Sequence, residues 1–175
     1  MAKGCLDKLT GSLLTTCSIE ALGVLDLYLM YPEDVTLTFT DSNRQVSAIA
    51  FASGAKSYRV EGYKQNIQIT SALLSTDCSN RNAISITFKV PAKSASLWSA
   101  IQNGRFYVLE VPANQVSYFA LWGINCPLVC TNFEYDSNSN GRMATVTLSA
   151  PEGSAGNHRF YCDSAVRDSI IAKSV

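Results

Sequence analysis

The sequence predicts a mainly β domain: an antiparallel sandwich or barrel with one packed helix at about 91–103 and extended or helical terminal arms. Three observations predict it. Apolar and polar residues alternate with period two through much of the chain, turn-forming residues separate these runs, and only one internal stretch switches to helical spacing. At 175 residues the chain is the size of one domain. No repeat or linker divides it. We therefore read an N-terminal arm at 1–24, a β core at 25–162 and a C-terminal arm at 163–175.

The strands follow in order. Val35-Thr-Leu-Thr-Phe-Thr40 and Ile84-Ser-Ile-Thr-Phe-Lys-Val90 alternate without error. Each turns one apolar face inward and a Thr, Ser or Lys face outward, as half-buried antiparallel strands do. Further strands are expected at 27–31, 45–51, 57–70, 106–111, 116–122, 128–135 and 144–149. The 57–70 run is long enough for two strands bent at Gly62. Asp41-Ser-Asn-Arg44, Pro112-Ala-Asn-Gln115 and Asp136-Ser-Asn-Ser-Asn-Gly141 supply turns between them.

The helix is read at 92–102, after Pro91 and before Asn103-Gly104. Proline suits a first turn, and a glycine in positive φ stops a helix. Ser94, Leu97, Trp98 and Ile101 fall on one face, so Leu97, Trp98 and Ile101 are expected to pack on the sheet. Both ends differ from the middle. Leu6, Leu9, Leu13, Leu14 and Leu22 lie near the start, and Val166, Ile170 and Ile171 near the end. Leu9, Leu13, Leu14, Val166, Ile170 and Ile171 are the candidate contacts with neighbouring subunits.

Composition excludes several functions. Fourteen basic and fourteen acidic residues cancel, and no basic run tracks a phosphate backbone, which argues against dedicated nucleic-acid binding. Charged residues make up 16% of the chain against about 25% in an average domain, and burial between subunits is one way to tolerate so uncharged a surface. Asp7 and Lys8 stand where the apolar region of a secretory signal would run, so a cytoplasm is the expected compartment. No run of about 18 apolar residues suggests a membrane span.

The six cysteines, Cys5, Cys17, Cys78, Cys126, Cys130 and Cys162, read as free thiols in that compartment. Only Cys126 and Cys130 have zinc-like spacing, and they fall in strand; the lone His158 offers no second ligand pair. We expect no metal and no cofactor. Asp136–Gly141 matches half of a calcium loop, but position twelve is Thr147 inside a strand, so a hairpin turn is the better reading. Glu33 and Asp34 read as a solvated turn after Pro32 rather than a catalytic pair. Gly153-Ser-Ala-Gly156 lacks the strand–turn–helix setting of a nucleophile elbow. Tyr58, Tyr63, Tyr107, Tyr118 and Tyr135 read as strand residues with half-exposed rings. Nothing assembles a nucleophile and base, and no enzyme is expected.

Three segments carry a resemblance: Gly23-Val-Leu-Asp-Leu-Tyr-Leu-Met-Tyr-Pro-Glu-Asp-Val35, Val116-Ser-Tyr-Phe-Ala-Leu-Trp-Gly123 with Cys126-Pro-Leu128, and Ala144-Thr-Val-Thr-Leu-Ser149 with Pro151-Glu152. Together they resemble tail-tube and tail-ring virion proteins of phages infecting Bacteroidetes. The resemblance implies a β-sandwich or barrel subunit with one flanking helix. It also implies homomeric rings around a DNA channel, in the tail tube or head–tail connector, assembled in the host cytoplasm. The implied partners are copies of the chain and adjacent virion proteins, with DNA in non-specific proximity and no membrane. Net charge near zero departs from the acidic lumen such a tube calls for. A β-sandwich binding module for a glycan or host receptor is the competing expectation.

Overall fold

The computed structural model describes residues 23–40, 44–62, 66–76, 79–91, 95–113, 117–135, 143–151 and 159–175. The strands are β1 (Val24–Met30), β2 (Val35–Thr40), β3 (Gln45–Phe51), β4 (Tyr58–Glu61), β5 (Gln68–Thr76), β6 (Ser79–Pro91), β7 (Arg105–Pro112), β8 (Phe119–Trp122), β9 (Leu128–Tyr135), β10 (Met143–Ser149) and β11 (Phe160–Cys162). The helices are α1 (Ala95–Asn103) and α2 (Ser164–Ile171). A 3-10 turn at Pro32–Asp34 joins β1 to β2 and holds the Glu33-Asp34 pair. The mainly β expectation is met.

One hydrogen-bonded path runs β2-β3-β11-β8-β7-β9-β10-β6-β5, with β1 on β7 and β4 on β1. It is not a closed barrel, and the sandwich form of the expectation applies. Pairings are antiparallel except β11 on β3, which is parallel. Strand β7 belongs to both halves. Arg105 and Phe106 pair with β9, and the residues after them pair with β1 and β8.

Two cores explain the layering. The first packs Leu27, Leu29, Val60, Phe106, Val108 and Trp122 against Ile84, Ile86, Phe88, Val146 and Leu148. These are the facing sides of the two halves of the sheet. The second holds Tyr28, Met30, Val46, Leu109, Phe119 and Leu121 with Cys162, Val166 and Ile170. It lies on the other side of the same central strands, and α2 covers it. Residues 26–30 of β1 and all of β8 are therefore buried on both faces. A strand covered twice reads as a continuous apolar run rather than an alternation.

The C-terminal stretch is helical, within the extended or helical arms expected, and it packs as a layer on the second core. Asp163 caps α2 by accepting from the Val166 N–H at 3.0 Å. Val166 and Ile170, four residues apart, turn the same face to the sheet and are buried. The buried Ser57 hydroxyl donates to the Ile170 carbonyl at 2.7 Å, tying the helix end to β4's approach. The chain then runs along that edge: Ser57 N–H donates to Lys173 O at 3.1 Å, and Val175 N–H to Ser57 O at 3.0 Å.

The internal helix also differs from expectation. Pro91 ends β6, paired with Met143, and the helix begins at Ala95. Of its expected inward face, Ile101 is buried and Trp98 packs on Phe133 and Tyr135 of β9 at ring distances of 5.2 and 5.3 Å. Leu97 is 39% exposed. Gly104 does not take positive φ. It is needed for space, since a Cβ there would run into the Phe106 ring and the Ala100 carbonyl. The 57–70 run does divide into two strands, β4 and β5, and the Gly62 N–H donates to Leu25 O at 2.7 Å. Strand β5 continues past the expected end at Thr70 to Thr76, β6 begins at Ser79, and the short β11 was not expected. No helix among the described residues is long and apolar enough to cross a membrane.

If α2 is a core layer, Ile170→Ala should destabilise the fold by about 2–5 kcal/mol, as truncation of a buried isoleucine does. Ser57→Ala should cost about 0.5–1.5 kcal/mol, the loss of one hydrogen bond, since Ile170 O still accepts from the Lys173 N–H at 3.2 Å. Urea unfolding followed by circular dichroism measures both. Losses below about 0.5 kcal/mol, typical of surface sites, would contradict the layering.

Candidate functional site

The features best placed to act on a partner are the two ends of the sheet path. Strand β2 ends one side. Its apolar side chains Val35 and Leu37 pack only partly against the second core, and Phe39 is 46% exposed beside Phe160. Its pairing with β3 shifts register between Thr38 and Phe39, leaving Ser47 of β3 without an opposite residue. The Ser47 hydroxyl donates to Thr38 O at 3.2 Å there. Such a bulge twists an edge and weakens it as a template.

Strand β5 ends the other side and is more open. It pairs with β6 over nine consecutive residue pairs, Gln68↔Thr87 to Thr76↔Ser79, without a register shift. Its sequence, Gln-Ile-Thr-Ser-Ala-Leu-Leu-Ser-Thr, has no charge and no proline. Those are the devices that usually blunt an edge. Strand β10 accompanies β6 only from Pro91 to Ser85. Beyond that point β5 and β6 continue as a two-stranded ribbon. Ser71 and Ala72 are exposed, and Leu73 is 64% exposed. A two-stranded ribbon is marginally stable alone in water, so this one gains from a further strand. The third edge, on β4, is covered by the backbone of Lys173–Val175.

The sequence-derived interface candidates fall elsewhere. Val166 and Ile170 are buried inside this chain and Ile171 is partly buried against the second core. A neighbour approaching α2 would have to meet its other faces. Leu9, Leu13 and Leu14 lie outside the described residues, as do the 136–141 loop, Gly153 to Gly156 and His158. Thr147, position twelve of the half-matched calcium loop, sits in β10 with its hydroxyl 3.1 Å from that of Thr87. The edge of β5 was missed because its periodicity fades after Thr70. The absence of charge from 68 to 76 was the available signal.

No arrangement among the described residues suggests chemistry. No group of three or more His, Cys, Asp or Glu converges. Cys130 and Cys162 are free thiols. Burial, with a smaller push from Asp163 and an opposing pull from Arg167, raises the Cys162 thiol to about 12. Burial also raises the Cys130 thiol, against a smaller lowering by a backbone hydrogen bond at Asn132. A nucleophilic cysteine needs the opposite shift. The one carboxylate buried in a strand, Asp26, accepts from Arg59 at 3.1 Å. Tyr58, Tyr118 and Tyr135 are exposed and Tyr107 is half-buried, while Tyr63 lies outside the described residues.

The Cys162 shift has a signed consequence. The unfolded thiol loses its proton at about 9 and the folded one at about 12. As pH rises through that window the unfolded state deprotonates first, so the fold loses stability. Cys162→Ala should flatten the fall in stability between pH 9 and pH 11. Iodoacetamide at pH 8 should leave Cys162 unmodified in the native protein, read by peptide mass spectrometry. Rapid native labelling would contradict its burial. No protein-family model, no curated protein and no solved structure matches this chain.

Proposed function

We propose that this protein is a structural subunit that assembles with copies of itself into a ring, as a virion component of a phage tail tube or head–tail connector. The observation that carries the assembly is the regular, uncharged, nine-residue edge of β5. Each copy offers one such edge and, at the far end of the same path, the edge of β2. Pairing β5 of one copy with β2 of the next is a head-to-tail contact. Repetition of such a contact closes a ring when the rotation between copies divides a full turn. Backbone hydrogen bonds along the strands supply the affinity, as in other cases of strand addition. The virion setting rests on the resemblance of the Gly23–Val35, Val116–Gly123 and Ala144–Ser149 segments to tail proteins, and a β-rich subunit with a flanking helix is consistent with it.

Mass photometry and negative-stain imaging of the full chain test this reading. Closed rings that grow with concentration are expected. Ser71→Lys with Leu73→Lys places two charges on exposed β5 positions and should raise the concentration for half-assembly by at least about tenfold. The thermal midpoint should stay within about 2 °C, because exposed sites change stability little. A protein that is monomeric at all concentrations, or rings indifferent to these charges, would contradict the assignment.

A further inference from the structure

A second feature lies away from the sheet edges. Helix α1 is held to β9 through Trp98, while its other flank stands off the sheet. Under that flank is a half-enclosed apolar hollow of about 450 Å³. Leu29 and Val60 line it from one half of the sandwich, and Phe88 and Val90 from the other. Ile101 and Phe106 close it toward the helix. Its volume falls within the roughly 300–1,000 Å³ typical of small-molecule sites.

A second hollow, of about 430 Å³, adjoins it, and Arg59, Val60, Val90, Pro91 and Val175 border both. This one is more polar and brings in Glu61, Asn66 and Lys89. The side-chain oxygen of Asn66 has no solvent contact and no hydrogen-bond partner among the described residues. A buried acceptor left so costs free energy that a donor would recover. The charges nearby are already matched. Arg59 is 3.1 Å from Asp26 and 3.5 Å from Glu61, and Lys89 is engaged as well. Arg59 and Lys89 thus offer no unpaired cation to an anionic head group.

We propose that these joined hollows bind an uncharged amphipathic small molecule. Its compact apolar body fills the space under α1, and a turn of the Asn66 side chain toward the second hollow brings the amide oxygen to a hydroxyl or amine N–H beside that body. The site does not depend on the ring, and it can fail while the ring stands.

N-Phenyl-1-naphthylamine is a suitable probe: two apolar ring systems, one N–H donor and no charge. Its sulfonated relative, 8-anilino-1-naphthalenesulfonate, keeps the skeleton and adds an anion. Fluorescence titration of the full chain should show saturable one-site binding of the neutral probe, and about tenfold weaker binding of the anionic one. Ala100→Trp fills the hollow from an exposed helix position that lines it, and should weaken the neutral probe at least about tenfold. Leu97→Trp does the same from the rim and decides the matter if the first variant fails to fold. Asn66→Ala should weaken the neutral probe by about five- to tenfold, the loss of one hydrogen bond. No saturable binding, equal or tighter binding of the anion, or folded tryptophan variants that bind as the parent does would each overturn the proposal.

Discussion

The structure depends on the two-sided burial of its central strands. Leu27 and Leu29 of β1 point into one core, while Tyr28 and Met30 point into the other. Ala120 and Trp122 of β8 divide from Phe119 and Leu121 in the same way. Sheets with both faces apolar cannot stand with one side in water. The β5–β6–β10–β9 half covers the first face, and α2 covers the second. Both covers are distant in sequence from β1, so the central strands acquire their setting only when the whole chain closes around them. The polar groups that secure the second cover are few: the Asp163 cap, the Ser57 hydroxyl on Ile170 O, and the backbone of Lys173–Val175 along β4.

This arrangement determines what is left for partners. The apolar side chains at the C-terminal end face inward, and the β4 edge is covered by the chain itself. The path still has two ends. One is bulged and bears a half-packed Phe39; the other is regular, uncharged and extends as a ribbon beyond β10. The hydroxyl-rich outer face beside it, where Thr87 meets Thr147 and Ser149 donates to Thr131 at 3.1 Å, needs no cover because its polar groups pair with each other. Backbone at the edges is the largest group of unpaired polar atoms left facing outward. That agrees with a low charge content and with the lack of converging catalytic groups among the described residues.

Sequence alone made the one-sided strands legible, because a strand with one wet face writes its burial as alternation. β2, β3, β6, β9 and β10 were found that way. The central strands were harder, since Leu27-Tyr-Leu-Met-Tyr31 and Phe119-Ala-Leu-Trp122 read as plain apolar runs whose second cover is not encoded nearby. For the same reason Val166, Ile170 and Ile171 read as contacts for a neighbouring subunit rather than for this chain's own core. The far half of the β5–β6 ribbon and the three-residue β11 carry too little apolar signal to register: their regularity comes from pairing, which sequence shows only indirectly. The hollow under α1 was also beyond reach, because it arises from how the helix leans on Trp98.

Hydrogen–deuterium exchange on assembled and dissociated protein tests the central claim most directly, because it reads the backbone at edges and in α2 at once. The account predicts that assembly slows exchange in Gln68–Thr76 and Val35–Thr40, while Ser164–Ile171 is equally protected in both states. New protection confined to Ser164–Ile171, with both edge strands unchanged, would contradict it.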